Sequence, residues 1–219
     1  MNKILQAPLI WLRRLYDWTL SWAKTPYALF ALALLSFVES SFFPVPPDPL
    51  LIALCVGMHT KWAKFALVTS LASVAGGMAG YGIGMFAFDS VGMPIMTLVA
   101  KLAGAEPEHL IETARFWFNE KEIMGFHVGA WAVGAAGFTP IPYKVFTISA
   151  GFFKMDFGVF VLASAISRSL RFFLVAGIIG ALYKKYGDKL SEFIDCYFNK
   201  LAIAFLLLLV GGILSIRLF

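Results

Sequence analysis

The amino-acid sequence predicts an all-α polytopic membrane protein, built as an inverted repeat of two opposed re-entrant helical hairpins with spanning helices. Three observations support this fold class. Hydrophobic residues make up 60% of the 219 residues and charged residues only 14%, whereas a soluble domain carries about 25% charged residues. The apolar runs are long and lack the alternating pattern of membrane β-strands. A proline-rich break in the apolar sequence also occurs twice.

The two breaks have related sequences, FFPVPPDP at residues 42–49 and FTPIPYK at residues 138–144. Prolines at this spacing cannot lie in a continuous helix, because each lacks an amide hydrogen and its ring collides with the preceding turn. Paired breaks in two halves of a hydrophobic chain indicate a transporter binding site near the middle of the bilayer. The prolines that we expect to shape the hairpin tips are Pro44, Pro46, Pro140 and Pro142.

Residues 1–26 are predicted to form an amphipathic helix that lies in the membrane interface. A signal peptide is not expected, because Arg13, Arg14 and Asp17 interrupt the apolar run and no small-residue cleavage site follows. The tryptophans of this segment suit the headgroup level of a bilayer.

The first repeat covers residues 27–88. It begins with an apolar piece over residues 27–38, which ends at Glu39 and is too short to span about 30 Å of hydrocarbon. A second short piece follows at residues 50–58, so a hairpin that enters and leaves on one side is the simplest interpretation. Residues 65–88 are long enough to span. Small residues at every fourth position of this helix permit close packing, either internally or in a homodimer, and they are Ala72, Gly76, Gly80 and Gly84.

An acidic connector is predicted at residues 89–123, and residues 124–183 repeat the first half. Residues 184–219 are expected to form a basic loop and a C-terminal transmembrane anchor helix. The predicted pieces of the second repeat are a hairpin of residues 124–137 and 145–153 and a spanning helix of residues 157–183.

Loop charge predicts that the N-terminus is cytoplasmic, because cytoplasmic loops carry an excess of basic residues. This orientation makes the first hairpin enter from the cytoplasm and the second from outside, and it explains the net charge of +5 better than nucleic-acid binding does. The basic residues placed inside are Lys3, Arg13, Arg14, Lys24, Lys61, Lys64, Lys184, Lys185 and Lys189. Those placed outside are Lys101, Arg115, Lys121, Lys154 and the terminal Arg217.

Five ionisable residues lie in segments that are predicted to be within the membrane. Each costs roughly 2.5 to 3.5 kcal/mol at the centre of a helix, so these side chains must face one another or a wet cavity. The two breaks align when the sequence is shifted by 96 positions, which places Phe42 on Phe138. The same shift places the acidic Asp48 of the first repeat on the basic Lys144 of the second. The five residues are Glu39, Asp48, Lys144, Arg168 and Arg171.

The three cations are predicted to bind phosphate. Arg168 and Arg171 are three residues apart on one helix and therefore share a polar face with the serines four positions before each. The planar fork of arginine donates two parallel hydrogen bonds to phosphate, and helices that restart after each break add inward-pointing N-termini. Lys144 is the third candidate. The alternatives are a structural role for the arginines and a Lys144 that reaches the interface.

Glu39 and Asp48 have two candidate roles. They act as counter-ions for the arginines when the site is empty, or one of them carries a proton if burial favours the neutral carboxyl. For Glu39, a structural cap or salt bridge is equally consistent with the sequence. No metal or cofactor site is expected, and Cys55 and Cys196 are not expected to pair. No functional role is predicted for the three histidines.

Several motifs occur together within residues 27–183: ESSFFPVP from Glu39, the glycine-rich helix after it, FTPIP from Phe138 with SAG from Ser149, and SRSLRF from Ser167. Together they resemble the DedA family, also called VTT-domain or SNARE-associated membrane proteins, and in particular its YqaA-like branch. The resemblance implies opposed re-entrant hairpins cradled by spanning helices in the bacterial cytoplasmic (inner) membrane. It also implies movement of phospholipids or of the polyprenyl-phosphate carrier between leaflets, in some members with a dependence on the proton-motive force.

The resemblance places Glu39 on the family's hairpin glutamate, and it places Arg168 and Arg171 on a basic pair of the YqaA-like branch. One departure concerns the second hairpin. Many members flank its proline with two arginines, where this chain has Gly137 and Tyr143.

The expected function is therefore transport of an anionic lipid between leaflets, as a flippase or scramblase, with protons as a candidate coupling ion. A proton-coupled carrier of small ions or solutes is one alternative. A membrane scaffold that acts through the acidic connector is another. An enzyme is not expected, because no nucleophile–base set or cofactor motif is present. The expected partners are membrane lipid, protons and a second copy of the chain.

Overall fold

The computed structural model describes residues 21–22, 25–42, 46–87, 90, 93–94, 97, 106–123, 125–139 and 141–187. This part of the chain is almost entirely helical, which agrees with the predicted all-α class. The C-terminal anchor helix, most of the interfacial segment, Pro44, Pro140 and Cys196 lie outside the described residues.

The two segments predicted as repeats, residues 27–88 and 124–183, account for most of the described chain, and an acidic segment with a short sheet lies between them. Their elements are, in order, α1 (Ala28–Ser41), α2 (Asp48–Gly57), a 3₁₀ turn (His59–Lys61), α3 (Trp62–Phe86), α4 (Pro107–Arg115), a π-helical turn (Phe116–Glu120), β1 (Glu122–Ile123), β2 (Phe126–His127), α5 (Val128–Phe138), α6 (Tyr143–Phe152) and α7 (Phe157–Tyr186).

Each proline-rich break separates two short helices, α1 from α2 and α5 from α6. A shift of 96 positions carries α2 onto residues 144–153, within one residue of the bounds of α6. The expectation that the first helix ends at Glu39 was wrong by two residues. The Ser41 hydroxyl donates to the carbonyls of Phe37 at 2.8 Å and Gly76 at 2.9 Å, which holds the last turn of α1 against α3.

A small antiparallel sheet in the connector departs from the all-α prediction. Ile123 of β1 pairs with Phe126 of β2, and Gly125 lies in the turn with φ +80°. Glycine adopts this left-handed conformation without a steric penalty. The segment expected to start the second helical repeat at residue 124 is therefore partly extended, and α5 begins only at Val128.

Helix α3 is the centre of the fold and contacts α1, α2, α6 and α7. Its approach to α6 depends on two glycines. A Cβ at Gly84 would meet the carbonyl of Ile148 on α6, and a Cβ at Gly151 of α6 would meet the carbonyl of Tyr81 on α3. The predicted close packing of the small-residue ladder is thus confirmed for its glycines, since Gly76 and Gly80 also face backbone or side-chain atoms of neighbouring helices.

A polar layer lies between two apolar cores. One core joins α1 and α2 to the start of α3, around Phe65, and to the second half of α7, around Phe172. The other joins α5 and α6 to the end of α3, around Tyr81, and to the start of α7, around Phe160. The buried polar residues between them are Ser36, Ser40, Ser41, Thr69, Ser70, Ser73, Thr147, Ser164, Ser167 and Arg168.

One face of α7 presents large apolar side chains to the outside of the protein. Along α7, every fourth residue is a large aliphatic side chain that is 45–62% exposed, namely Leu162, Ile166, Leu170, Leu174 and Ile178. Among the described residues, the helices His59–Phe86 and Phe157–Tyr186 are long and apolar enough to cross a membrane. A continuous exposed apolar stripe of this kind marks a surface that meets lipid or another apolar partner.

Candidate functional site

Arg168 lies in the middle of α7 and only 1% of the residue is exposed. A buried guanidinium loses its hydration and therefore needs close polar partners. Its Nη2 donates to Oε2 of Glu39 on α1 at 2.8 Å. The hydroxyls of Ser40 and Ser73 accept from Nη2 at 3.3 Å and from Nε at 2.5 Å. Arg168 thereby joins α7 to both α1 and α3.

Two aromatic rings stack against the same guanidinium. Cζ of Arg168 lies 4.7 Å from the ring centre of Tyr143 and 4.6 Å from that of Phe172. Such cation–π contacts contribute roughly 0.5 to 2 kcal/mol each. Tyr143 is the first residue of α6, directly after the second break, so the second hairpin is also attached to Arg168.

Arg171 connects the two breaks. Its Nη2 donates to Oδ2 of Asp48 at 2.9 Å, and its Nη1 donates to the carbonyl of Thr139 at 3.0 Å. Asp48 starts α2 and Thr139 follows α5, so the arginine closes a helix end in each hairpin. The side chains of Arg171 and Asp48 are 16% and 23% exposed, which makes this pair more accessible than the Arg168 pair.

Lys144 is the second residue of α6, is half-buried and interacts electrostatically with Glu39. The hydroxyl of Thr147, one turn later, donates to the carbonyls of Ser40 at 3.3 Å and Lys144 at 3.0 Å. These contacts hold the start of α6 beside the end of α1. The structure therefore brings all five charged residues named from the sequence into one cluster.

The charges of this cluster are divided by repeat. Both carboxylates, Glu39 and Asp48, come from the first repeat, and the three cations, Lys144, Arg168 and Arg171, come from the second. Three positive charges against two negative charges leave one positive charge in excess. A protected site with an excess positive charge attracts an anion, and a phosphate could displace either carboxylate from its arginine.

Two buried hydroxyls next to Arg168 add hydrogen-bonding capacity. The hydroxyls of Tyr143 and Ser164 are neighbours, and both residues are fully buried. Neither hydroxyl makes a hydrogen bond of ordinary geometry within the described residues. They are therefore further candidates for contact with an oxygen-rich group.

Of the four hairpin prolines, Pro46 and Pro142 lie within the described part of the chain. Pro46 is exposed in the first break and Pro142 directly precedes α6. Sequence analysis missed the cluster residues Ser40, Ser73 and Phe172. The serines had a recognisable signal, because Ser36 and Ser40, like Thr69 and Ser73, place hydroxyls four residues apart on one face of an apolar helix. Phe172 had none.

No group of three or more His, Cys, Asp or Glu side chains that could hold a metal ion occurs among the residues that the structure describes. Glu39 and Asp48 instead face arginines. The described cluster has the composition of an anion site, in which arginines and hydroxyls supply the donors.

The fold and the site define an α-helical protein that encloses a net-positive cluster between two pairs of short helices. An uncharacterized protein of Haemophilus influenzae is 39% identical to it over 181 residues, which are 83% of this chain and 87% of that protein. The uncharacterized HI0703 homolog of Histophilus somni is 40% identical with the same coverage. The chain belongs to the family of these uncharacterized proteins. No protein-family model and no solved structure matches it.

Proposed function

We propose that this protein is an integral membrane transporter that moves an anionic lipid, a phospholipid or a polyprenyl phosphate, between leaflets. We also propose that it is a member of the DedA family and resides in the bacterial inner membrane. The observation that carries the proposal is the charge cluster. One excess positive charge lies where two broken helix pairs meet, beside a helix whose outward face is a stripe of large aliphatic side chains.

The distribution of polarity supports a membrane location. The stripe of aliphatic side chains on α7 faces outward, whereas Arg168, on another face of the same helix, is buried. A soluble protein places charged groups outside and apolar groups inside. In a bilayer, ionisable side chains face the interior of the bundle instead.

The chemistry of the cluster favours a phosphate headgroup. Moving a lipid between leaflets is slow because the charged headgroup must lose its water. Arginine replaces that water with two parallel, charge-assisted hydrogen bonds. Arg171 is the expected first contact because its pair with Asp48 is the more exposed one. Arg168 is more deeply buried and holds Glu39 next to the site.

Transport follows in this proposal from competition between carboxylates and phosphate. With no lipid bound, Glu39 and Asp48 neutralise the arginines and hold the first hairpin against α7. An entering phosphate takes the place of Asp48 on Arg171 and so loosens the link between the first hairpin and α7. Movement of the two inverted repeats then exposes the site to the other leaflet while the acyl chains stay in lipid. Release of the phosphate restores the ion pairs.

The proposed orientation predicts that the connector and the end of α7 lie on opposite sides of the membrane. A cysteine in place of the exposed Glu108 should react with a membrane-impermeant maleimide in intact cells, in a background with Cys55 and Cys196 replaced by serine. A cysteine in place of the exposed Lys184 should react only after permeabilisation. Equal labelling of both positions in intact cells would show that the orientation is wrong.

Loss of Arg171 should slow lipid movement. We expect Arg171→Gln to reduce the exchange of headgroup-labelled phospholipid or polyprenyl phosphate in liposomes about 10- to 100-fold. The reason is that a charge-assisted hydrogen bond contributes about 1.5–3 kcal/mol. Lys184→Gln removes the same charge at the exposed end of α7 and should leave the rate unchanged.

A wild-type rate in Arg171→Gln would contradict the phosphate role of this residue. No exchange of any lipid by folded wild-type protein would exclude the lipid substrate and favour the small-solute carrier. Repeating the assay with an imposed pH gradient tests proton coupling, since a coupled transporter responds to the gradient and an uncoupled scramblase does not.

A further inference from the structure

A second polar site lies near the start of α7, away from the charge cluster. It is a pocket of about 340 Å³ between the connector, the end of β2 and the turn from α6 to α7. This volume lies at the lower end of the range of small-molecule sites. Val159 lines the pocket and precedes Arg168 by nine residues, or about 14 Å along the helix. None of the charged cluster residues lines it.

Two residues that line this pocket each have a buried polar atom without a hydrogen-bond partner among the described residues, namely Oδ1 of Asn119 and Nδ1 of His127. The amide of Asn119 is fixed, because its Nδ2 donates to the carbonyl of Phe153 at 2.8 Å. Its Oδ1 is therefore an acceptor that needs a donor. Nδ1 of His127 lies 3.9 Å from the carboxylate of Glu122, beyond hydrogen-bond distance. Buried polar groups without partners in a folded protein call for an explanation, and a ligand is one.

The turn from α6 to α7 holds a lysine in an unusual conformation. Lys154 has φ +55°, and the amides of Lys154 and Met155 donate to the carbonyls of Gly151 and Ala150, the pattern of a helix end that glycine usually closes. A residue with a Cβ in this conformation costs roughly 1 to 2 kcal/mol. Strain of this kind is typical of functional positions, and here it accompanies a cation at the pocket.

Asp156 contributes a negative charge to the pocket, opposite in sign to that of Lys154. Its Oδ1 accepts from the amide of Val159 at 2.8 Å and so caps α7, and the carboxylate also lines the pocket. The pocket thus combines acceptors, from Asn119 and Asp156, with one cation, Lys154, and with the imidazole of His127, whose Nδ1 accepts a hydrogen bond when the proton is on Nε2. Phe118 and Val159 supply apolar walls.

We propose that this pocket binds a zwitterion in which a primary ammonium is joined by a short chain to a phosphate, as in an aminoethyl phosphate group. The ammonium would donate to Asn119, His127 and Asp156, and the phosphate would pair with Lys154. The group could belong to a phospholipid headgroup or to a free small molecule. The proposal does not depend on the proposed transport, because the two sites share no charged residue.

The test is calorimetric titration of the full chain, purified in detergent, with O-phosphoethanolamine. Phosphocholine should bind at least about tenfold more weakly, because its trimethylated nitrogen has no hydrogen to donate to Asn119. Titration in phosphatidylcholine nanodiscs, with and without phosphatidylethanolamine, distinguishes the sources. Competition by the lipid identifies a headgroup site, and undiminished binding identifies a site for the free molecule.

Two variants separate binding from folding. Lys154→Gly removes the cation and relieves the backbone strain, so we expect binding about 10- to 100-fold weaker together with an unchanged or higher melting temperature. Asp156→Asn keeps a side chain that can cap α7 and should also weaken binding. Lys64→Gln removes an exposed lysine elsewhere and should change neither property. Equal affinity for the two phosphate probes, wild-type affinity in Lys154→Gly, or no binding of any probe would overturn the proposal.

Discussion

Replacing Arg168 by leucine is expected to destabilise the folded protein by about 3–5 kcal/mol and to abolish transport. The substitution leaves the Glu39 carboxylate, whose side chain is only 15% exposed, without its arginine. It also removes the cation between the rings of Tyr143 and Phe172, which connects the second hairpin to α7. Denaturant unfolding in mixed micelles and the melting temperature measure the loss.

The double variant Glu39→Gln with Arg168→Leu distinguishes an unpaired charge from lost packing. Removing both charges should recover stability to within about 2 kcal/mol of the wild type, because the isolated carboxylate is gone. Ser40 and Ser73 keep a partner in either variant, since their hydroxyls lie 2.7 Å apart. Transport should stay abolished. Lys184→Leu is the matched control at the exposed helix end, and equal stability of Arg168→Leu and this control would refute the structural role of Arg168.

A single methyl group between α3 and α6 should have an effect of similar size. Gly84→Ala places a Cβ against the backbone carbonyl of Ile148, and Gly151→Ala places one against the carbonyl of Tyr81. Backbone cannot rotate away as a side chain can, so both helices must separate. Overpacking costs typically 1–3 kcal/mol, and we expect about 3 kcal/mol or more here. The second hairpin would move with α6, so transport should fall as well.

Gly82→Ala is the control for this prediction. It lies on the same helix, and nothing is within 4 Å of its added Cβ. The melting temperature and the monodisperse fraction of Gly82→Ala should stay close to those of the wild type, whereas both should drop in Gly84→Ala. Similar values for the two variants would mean that α3 and α6 are less closely packed than described.

The sequence predicted the helical elements well because apolar runs, prolines and loop charges limit where helices start and stop. For example, a helix was expected at residues 65–88, and a helix is observed at Trp62–Phe86. The hairpin of β1 and β2 was missed because strands of two residues are too short to show an alternating pattern. The last two residues of α1 were missed because they depend on the contact of Ser41 with Gly76, 35 positions away.

The site was predictable only in part. Intramembrane charges were expected to face one another, and the structure brings the five together. The specific pairs were not predictable, because Glu39 and Arg168 are separated by 129 positions and Asp48 and Arg171 by 123. The pocket near α7 was missed entirely. Its polar groups, including Asn119 and His127, come from segments that are individually ordinary and meet only in the folded chain.

The separation of charge between the repeats also bears on how the protein is made. Ribosomes add about 5–20 residues per second, so roughly 6 to 26 seconds pass between the synthesis of Glu39 and that of Arg168, 129 positions later. In a chain inserted as it is synthesised, Glu39 therefore exists for this time without the arginine that pairs with it, and Asp48 waits a similar time for Arg171, 123 positions later. For the proposed membrane protein, we expect the first hairpin to take its final position only when α7 is present. We therefore expect completion of the second repeat to fix the first repeat in place.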